Sequence, residues 1–309
     1  MDWTVSADDA GVRLDKFLAA AGRLGSRRRA SVALDRGKVF VNDVEAASAA
    51  GATRLDRGDR IRVWMDRPGS ARSRAPSRSG ELDILFEDES LIVLVKPAGL
   101  LAVPLERKAH ADSVVDQLVT HLRPQGKRKP LVVHRIDRDT SGLVVFAKTV
   151  TAQRALREQF KRHEVERVYR AVVYGHPNPP SGVWRDRLVW DQKALIQKET
   201  HPRDPKGKDA VCRYDTIERF AVTSLIEVRL ETGKRNQIRL QARLRGHTLV
   251  GEKRYVYGPD DLRPIEFPRQ ALHALRLAFA HPITGKPLRL EAPVPEDFAG
   301  LVARLRSSG

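Results

Sequence analysis

Residues 131–148 read LVVHRIDRDTSGLVVFAK. Two aliphatic runs, Leu131, Val132, Val133 and Leu143, Val144, Val145, Phe146, have the length and branching of buried strands. They bracket a loop holding His134, Arg135, Asp137, Arg138, Asp139, Thr140, Ser141 and Gly142. A carboxylate held where two strands converge is fixed in place and stripped of part of its water, while a neighbouring guanidinium keeps it ionised. The same residues also fit a plain charged connection in which Asp139, Thr140 and Ser141 form a turn. Taken alone they leave both readings open.

Around this hairpin runs a chain of 309 residues, long enough for a substantial core and more than one domain. Hydrophobic residues at 41% and charged residues at 31% are the balance of a soluble globular protein. Lys and Arg number 56 against 39 Asp and Glu, a formal net charge of +17 that favours a polyanionic partner, since each neutralised phosphate releases counterions. A single cysteine, Cys212, excludes an internal disulfide and a cysteine-based metal cluster. The histidines lack ligand-like spacing, and no closely grouped carboxylates suggest a two-metal hydrolase, so no metal is expected. The acidic start MDWTVSADDAG has no apolar run and no stretch is apolar enough to span a bilayer, which makes the cytoplasm the expected compartment.

Upstream of the hairpin, Val12, Leu14, Phe17, Leu18 and Ala21 form a helical stripe, and Ser26 is placed to cap a second helix. The first turns of that helix carry Arg27, Arg28 and Arg29, cations that oppose its dipole and so point toward RNA phosphate. A strand through Val39, Phe40 and Val41 and another ending near Trp64 complete a first domain over 1–66. Residues 67–80 mix Pro, Gly and Ser with Arg, the composition of a flexible basic linker, and a second domain fills 81–309. Downstream of two apolar runs near 82–95, Ser113 and Thr151 are expected to cap helices, and 166–174 reads as a strand. Prolines and cations over 176–208 indicate a peripheral excursion whose loops meet RNA, with some strand-like alternation through Trp184, Leu188 and Trp190. Ile226, Val228 and Leu230 alternate with charged residues as a half-buried strand does, and beyond it Arg235, Arg239 and Arg243 recur every four residues along one helix face.

The nine residues HRIDRDTSG at 134–142 closely resemble the central motif of the RluA-type RNA pseudouridine synthases. KPAGL at 96–100, the strand at 166–174, ETGKRNQIRLQ at 231–241 and the region from 269 to 293 resemble the family's other motifs. The N-terminal domain resembles the small S4-like RNA-binding module of a ribosomal small-subunit protein. This resemblance implies an α+β fold: a mixed, mainly antiparallel sheet with flanking helices and a central cleft, preceded by a small α/β RNA-binding domain. It implies that Asp137 is the catalytic residue, that Tyr169 lies near the target base and that Arg239 pairs with Asp137. Lys96, Arg135, Arg235 and Arg27, Arg28 and Arg29 are then expected to bind substrate, Lys96 at a phosphate or at the pocket edge, with Leu143, Ile238 and Leu240 as apolar support.

Two positions depart from the family pattern: Asn236 and Gln241 stand where histidines are usual, keeping hydrogen-bonding capacity without an imidazolium charge. No cofactor is implied. The expected partner is structured RNA, large-subunit ribosomal RNA or its assembly precursor first and tRNA second, with no membrane, and the chain is expected to be a monomer. A noncatalytic RNA-binding protein that assists ribosome assembly would explain the basic helices equally well. It would have no use for a buried nucleophilic carboxylate.

Overall fold

The computed structural model describes all residues except 36–37, 47–50, 66–81, 105–111, 126–128 and 308–309. The expected linker at 67–80 lies outside the described residues. The chain forms two compact units, Met1–Glu81 and Leu82–Gly309.

The first unit contains β1 (Asp2–Thr4), α1 (Leu14–Ala19), α2 (Arg27–Asp35), β2 (Val39–Val41), β3 (Val44–Glu45) and β4 (Arg60–Val63). Its antiparallel strands lie in the order β1, β4, β2, β3. Leu14, Phe17 and Leu18 from α1 and Ala30 and Leu34 from α2 share one core with Val39, Ile61 and Val63. Ser26 caps α2 as expected, its Oγ accepting the Arg29 N–H at 3.2 Å, and the side chains of Arg27 and Arg29 are exposed.

The second unit runs through β5 (Asp83–Glu87), β6 (Leu91–Lys96), α3 (Val114–Leu122), β7 (Leu131–Val132), β8 (Ser141–Ala147), α4 (Val150–Lys161), β9 (Glu166–Tyr174) and β10 (Ser181–Asp191). It continues through β11 (Ile196–Glu199), β12 (Lys208–Arg219), β13 (Thr223–Leu230), α5 (Gln237–Leu244), β14 (Leu272–Ala280), β15 (Pro287–Glu291) and α6 (Glu296–Ser307). Among the described residues these strands form one sheet in the order β11, β10, β12, β13, β9, β14, β8, β6, β5, with β15 beside β14 and β7 beside β8. Every pairing is antiparallel except the short one between β14 and β8. This is the mixed, mainly antiparallel α+β arrangement expected.

The continuous apolar runs of β6 and β8 follow from burial on both faces. Ile92, Leu94, Val144 and Phe146 pack with Val114 and Leu118 of α3, while Leu91, Val93, Leu143 and Val145 pack with Ala152 and Leu156 of α4. Ser113 caps α3 in a reciprocal box: its Oγ accepts the Asp116 N–H at 3.3 Å, and Asp116 Oδ2 accepts the Ser113 N–H at 3.1 Å. Helix α4 starts earlier than expected. Thr149, not Thr151, is its cap, with Oγ1 accepting the Ala152 N–H at 3.2 Å.

Two expectations about strands are corrected. About half of residues 176–208 is strand, around the alternation of Trp184, Leu188 and Trp190: β10 pairs with β12 from Ser181–Asp215 to Leu188–Lys208 and β11 closes the edge. Trp184 and Leu188 bury inward while Arg185 stays in solvent, and that wet face carries the charge that reads as loop. Strand β13 is covered on both faces over most of its length. Glu227, only 5% exposed, is tolerated there because Arg170 and Arg229 hold it at 3.1 and 2.7 Å. No helix among the described residues is long and apolar enough to cross a membrane, and no group of three or more His, Cys, Asp or Glu is disposed to hold a metal ion.

Candidate active site

The loop between β7 and β8 carries Asp137, and several contacts fix its course. Lys96, at the end of β6, is fully buried and donates from Nζ to the carbonyl oxygens of Pro97 at 2.7 Å, Leu100 at 2.8 Å and Arg138 at 2.7 Å. The Gly99 N–H also reaches the Arg138 carbonyl, at 3.0 Å, so the 97–100 loop and the Asp137 loop are stitched together. From the opposite side Arg269 Nη1 donates to the Asp139 carbonyl at 3.3 Å. Burial pushes the Lys96 ammonium down to about 7, with the charges of Asp139 and Asp137 pulling it back.

Asp137 is one-quarter exposed and receives two donors on the same oxygen: Arg239 Nη1 at 3.1 Å and Asn236 Nδ2 at 2.7 Å, both to Oδ2. Among the described residues Oδ1 has no hydrogen-bond donor. Each donor is itself held. Arg239, in the first turn of α5, donates Nε and Nη2 to the two oxygens of Glu252 at 2.6 and 2.7 Å. Burial works against the Arg239 charge, yet Glu252 and then Asp137 outweigh it and hold the guanidinium above the usual arginine range. Burial likewise works against the Glu252 carboxylate, and Arg239 outweighs it and keeps it below its usual range. Asn236 precedes α5 in a left-handed conformation, φ 53°, that turns its amide away from capping the helix and toward Asp137. Its Oδ1 accepts from the Tyr255 hydroxyl at 3.3 Å.

These groups border a cavity of about 510 Å³ lined by Asp137, Tyr169, Ile238, Arg239, Asn236 and Leu272 among others. Tyr169, on β9, is 8% exposed; burial raises its phenol above the ordinary range, the Arg167 charge opposing and the Asp137 charge adding to the shift. A carboxylate with one oxygen anchored and the other unbonded, beside a neutral phenol and an apolar wall, suits covalent chemistry at a nucleotide whose planar base packs in the cavity.

A family model for RNA pseudouridylate synthase matches residues 90–244, half of the chain, including the loop, strand and helix that carry Asp137, Tyr169 and Arg239. The chain belongs to this family. The synthase is similar along its whole length to an uncharacterized RNA pseudouridine synthase, YlyB, of Bacillus subtilis, with 36% identity covering 100% of this chain and 99% of that protein. It is also 36% identical to the ribosomal large subunit pseudouridine synthase D of Zymomonas mobilis, covering 99% of this chain and 97% of the relative. Among solved structures, human RNA pseudouridylate synthase domain containing 4 shares the fold, with a TM-score of 0.59 and 22% identity over 72% of this chain and 92% of that one. The synthase is thus an RNA-modifying isomerase with its catalytic domain in the second unit.

The synthase brings Asp137, Tyr169, Arg239, Ile238 and Arg135 to one cavity, the last exposed at its border. Other expected substrate contacts are corrected. Lys96 spends its ammonium on three backbone carbonyls and presents nothing to a phosphate. Leu143 packs toward α4 and Leu240 packs with Leu188, Ala210 and Tyr255, so neither lines the cavity. Arg235 lies before α5, not on it, because the left-handed Asn236 intervenes; its guanidinium stacks 3.9 Å over the Trp190 ring. Gln241 is fully buried beneath the site: its amide nitrogen donates to Asp186 at 2.6 Å and its oxygen accepts from Gln237 at 3.0 Å. Of the two departures from the family pattern, Asn236 alone touches Asp137. Arg27, Arg28 and Arg29 belong to α2 in the first unit. Sequence reasoning misses Glu252 and Tyr255, whose contacts with Arg239 and Asn236 follow no period.

Proposed function

We propose that the synthase converts uridine to pseudouridine in large-subunit ribosomal RNA or its assembly precursor, as a cytoplasmic monomer, with Asp137 as nucleophile. The asymmetry of Asp137 carries this reading: both donors sit on Oδ2, which holds the carboxylate in orientation, while Oδ1 is left for the sugar. The target nucleotide leaves the RNA stack and enters the cavity, where Tyr169 and Ile238 offer faces to the uracil. Oδ1 attacks C1′ as the bond from C1′ to N1 breaks. The freed uracil turns, its C5 displaces the carboxylate from C1′, the proton on C5 passes to water, and N1, left with the electron pair of the broken bond, takes a proton from water. Burial keeps the Tyr169 phenol protonated, so it enters as a stacking face and hydrogen-bond donor and not as an anion. Arg239 is tied by three of its atoms and serves Asp137 in place.

Three observations support ribosomal RNA as substrate. These are the activity for which the Zymomonas mobilis relative is named, the net charge of +17, and the likeness of the first 66 residues to an S4-like RNA-binding module. Exposed Arg135 and Arg235, with Arg27 and Arg29 on the first unit, supply cations for phosphates and position the RNA more than they read it. The test is position-resolved pseudouridine mapping of total RNA from cells with the gene intact, deleted, or restored as D137N. The expected result is a large-subunit site lost on deletion and absent with D137N, while purified D137N still binds RNA. A lost site in tRNA moves the substrate to tRNA, and normal turnover by D137N refutes Asp137 as nucleophile.

A further inference from the structure

Both groups that bind Asp137 Oδ2 are themselves held by one short segment, 251–255, which lies beyond the matched residues 90–244. Gly251 sets its course: φ is +74°, and a Cβ there would lie 1.9 Å from the Arg269 carbonyl oxygen, so a side chain is barred. Glu252 follows with its side chain wholly buried. One of its oxygens, Oε1, accepts the backbone N–H groups of Lys253 at 3.0 Å, Arg254 at 2.8 Å and Tyr255 at 3.2 Å, which pins the carboxylate to its own segment. The same carboxylate takes Arg239 through Nε and Nη2, a bidentate grip that leaves Nη1 as the atom pointing at Asp137. At the other end of the segment the Tyr255 hydroxyl accepts the Gln197 N–H at 3.0 Å, so its own proton goes to Asn236 Oδ1. That bond fixes which end of the Asn236 amide faces Asp137: with oxygen held by Tyr255, the NH₂ must point at the carboxylate.

We infer that residues 251–255 are a positioning element for the nucleophile, Glu252 acting through Arg239 and Tyr255 through Asn236. The inference rests on Asp137 being that nucleophile. Neither Glu252 nor Tyr255 bonds to Asp137 itself; their effect is to keep both donors on Oδ2 and thereby leave Oδ1 for attack. A lone structural role would predict lost stability without a specific loss of rate. A positioning role predicts a slower chemical step at unchanged RNA affinity, and for Tyr255 an effect that exists only while Asn236 has its amide.

The experiment is single-turnover release of tritium from total RNA labelled at uracil C5 and prepared from cells lacking the gene, with rate and half-saturating enzyme concentration both read. The proteins are the full chain and its D137N, E252Q, Y255F, N236A and N236A/Y255F variants, each checked by thermal melting. In E252Q one arm of the amide opposes a guanidinium N–H, and a rate about a hundredfold lower with half-saturation within about twofold is expected. Y255F keeps the ring and loses the hydroxyl, and a rate about tenfold lower is expected. Adding Y255F to N236A is expected to change nothing further. Folded E252Q and Y255F proteins that react at the unmodified rate overturn the inference, as does a Y255F loss that is undiminished in the N236A background. If E252Q does not fold, the Tyr255–Asn236 cycle decides alone. D137N separates the two readings: tritium release by D137N sinks the nucleophile, whereas an inactive D137N beside fully active E252Q and Y255F sinks only the positioning element.

Discussion

At His134, Nε2 accepts the Val145 N–H at 3.1 Å, so the ring proton resides on Nδ1 and the neutral imidazole stacks on Phe160 at 4.7 Å between ring centroids. Burial, with the Arg167 charge behind it, pushes the imidazolium down to about 3. The unfolded chain, with a histidine near its ordinary 6.5, therefore takes up this proton first as pH falls. The stability that neutral His134 contributes is complete above about pH 6.5 and is lost progressively toward about pH 3. Buried His273, pushed down to about 4 by burial, acts in the same direction. The melting temperature should fall across this window. H134Q keeps an acceptor for the Val145 N–H and has nothing to titrate, so its melting temperature should fall less steeply between about pH 6.5 and pH 4. Parallel curves for the two proteins, by calorimetry, would remove His134 from the account.

Strand β8 begins at a parallel junction, where Ser141 and Gly142 face His273 and Ala274 of β14. Gly142 has φ +111°, and a Cβ on it would lie 2.2 Å from the Ala274 carbonyl oxygen. Backbone of a central strand cannot move aside as the end of a flexible side chain can. G142A should therefore part β8 from β14 next to the Asp137 loop, costing about 3 kcal/mol or more in urea unfolding and lowering activity as well. Native stability in G142A would contradict this account of the junction. The hairpin itself is legible in the sequence because strands buried on both faces need uninterrupted aliphatic runs, and 131–133 and 143–146 have them. Ser113 and Ser26 are legible as caps for an equally local reason. Strand β10 is legible only in part: Trp184, Leu188 and Trp190 alternate, but its wet face carries the cations of a loop. Lys96 misleads because a lysine beside a Pro and Gly turn reads as surface, and only the folded chain shows three carbonyls converging on its ammonium. Helix α6 is not among the expected elements, although Phe298, Leu301, Val302 and Leu305 fall at helical spacing behind acidic Glu296 and Asp297. Asp137 and Arg239 are found through motifs, whereas Glu252 is specified only by the tertiary path that brings 251–255 back to α5.

At the scale of the whole molecule, the basic excess is divided between the units. Residues 1–81 hold 16 Lys and Arg against 11 Asp and Glu, a share of +5 in the total of +17. The cores are also separate: the cluster around Phe17 and Leu34 contains only first-unit residues, and those around Asp137, β8 and α6 only second-unit residues. Chemistry and much of the charge thus reside in 82–309. If the first unit binds RNA through α2 and its neighbours, its removal takes away cations that neutralise phosphates and the effective concentration a tethered module provides, but no group that touches Asp137. A chain of 82–309 should fold and, at saturating RNA, react within about twofold of the full-length rate. Its affinity should fall about tenfold or more, and its plot of log affinity against log salt should flatten by about 0.7 to 0.9 for each phosphate that the first unit no longer neutralises. Filter binding from low to high salt measures both quantities on the same RNA. An unchanged slope with unchanged affinity would mean that the first unit engages no phosphates, and Arg27 and Arg29 would then need another partner. A flattened slope with an unchanged saturated rate would assign RNA capture to the first unit and isomerisation to the second.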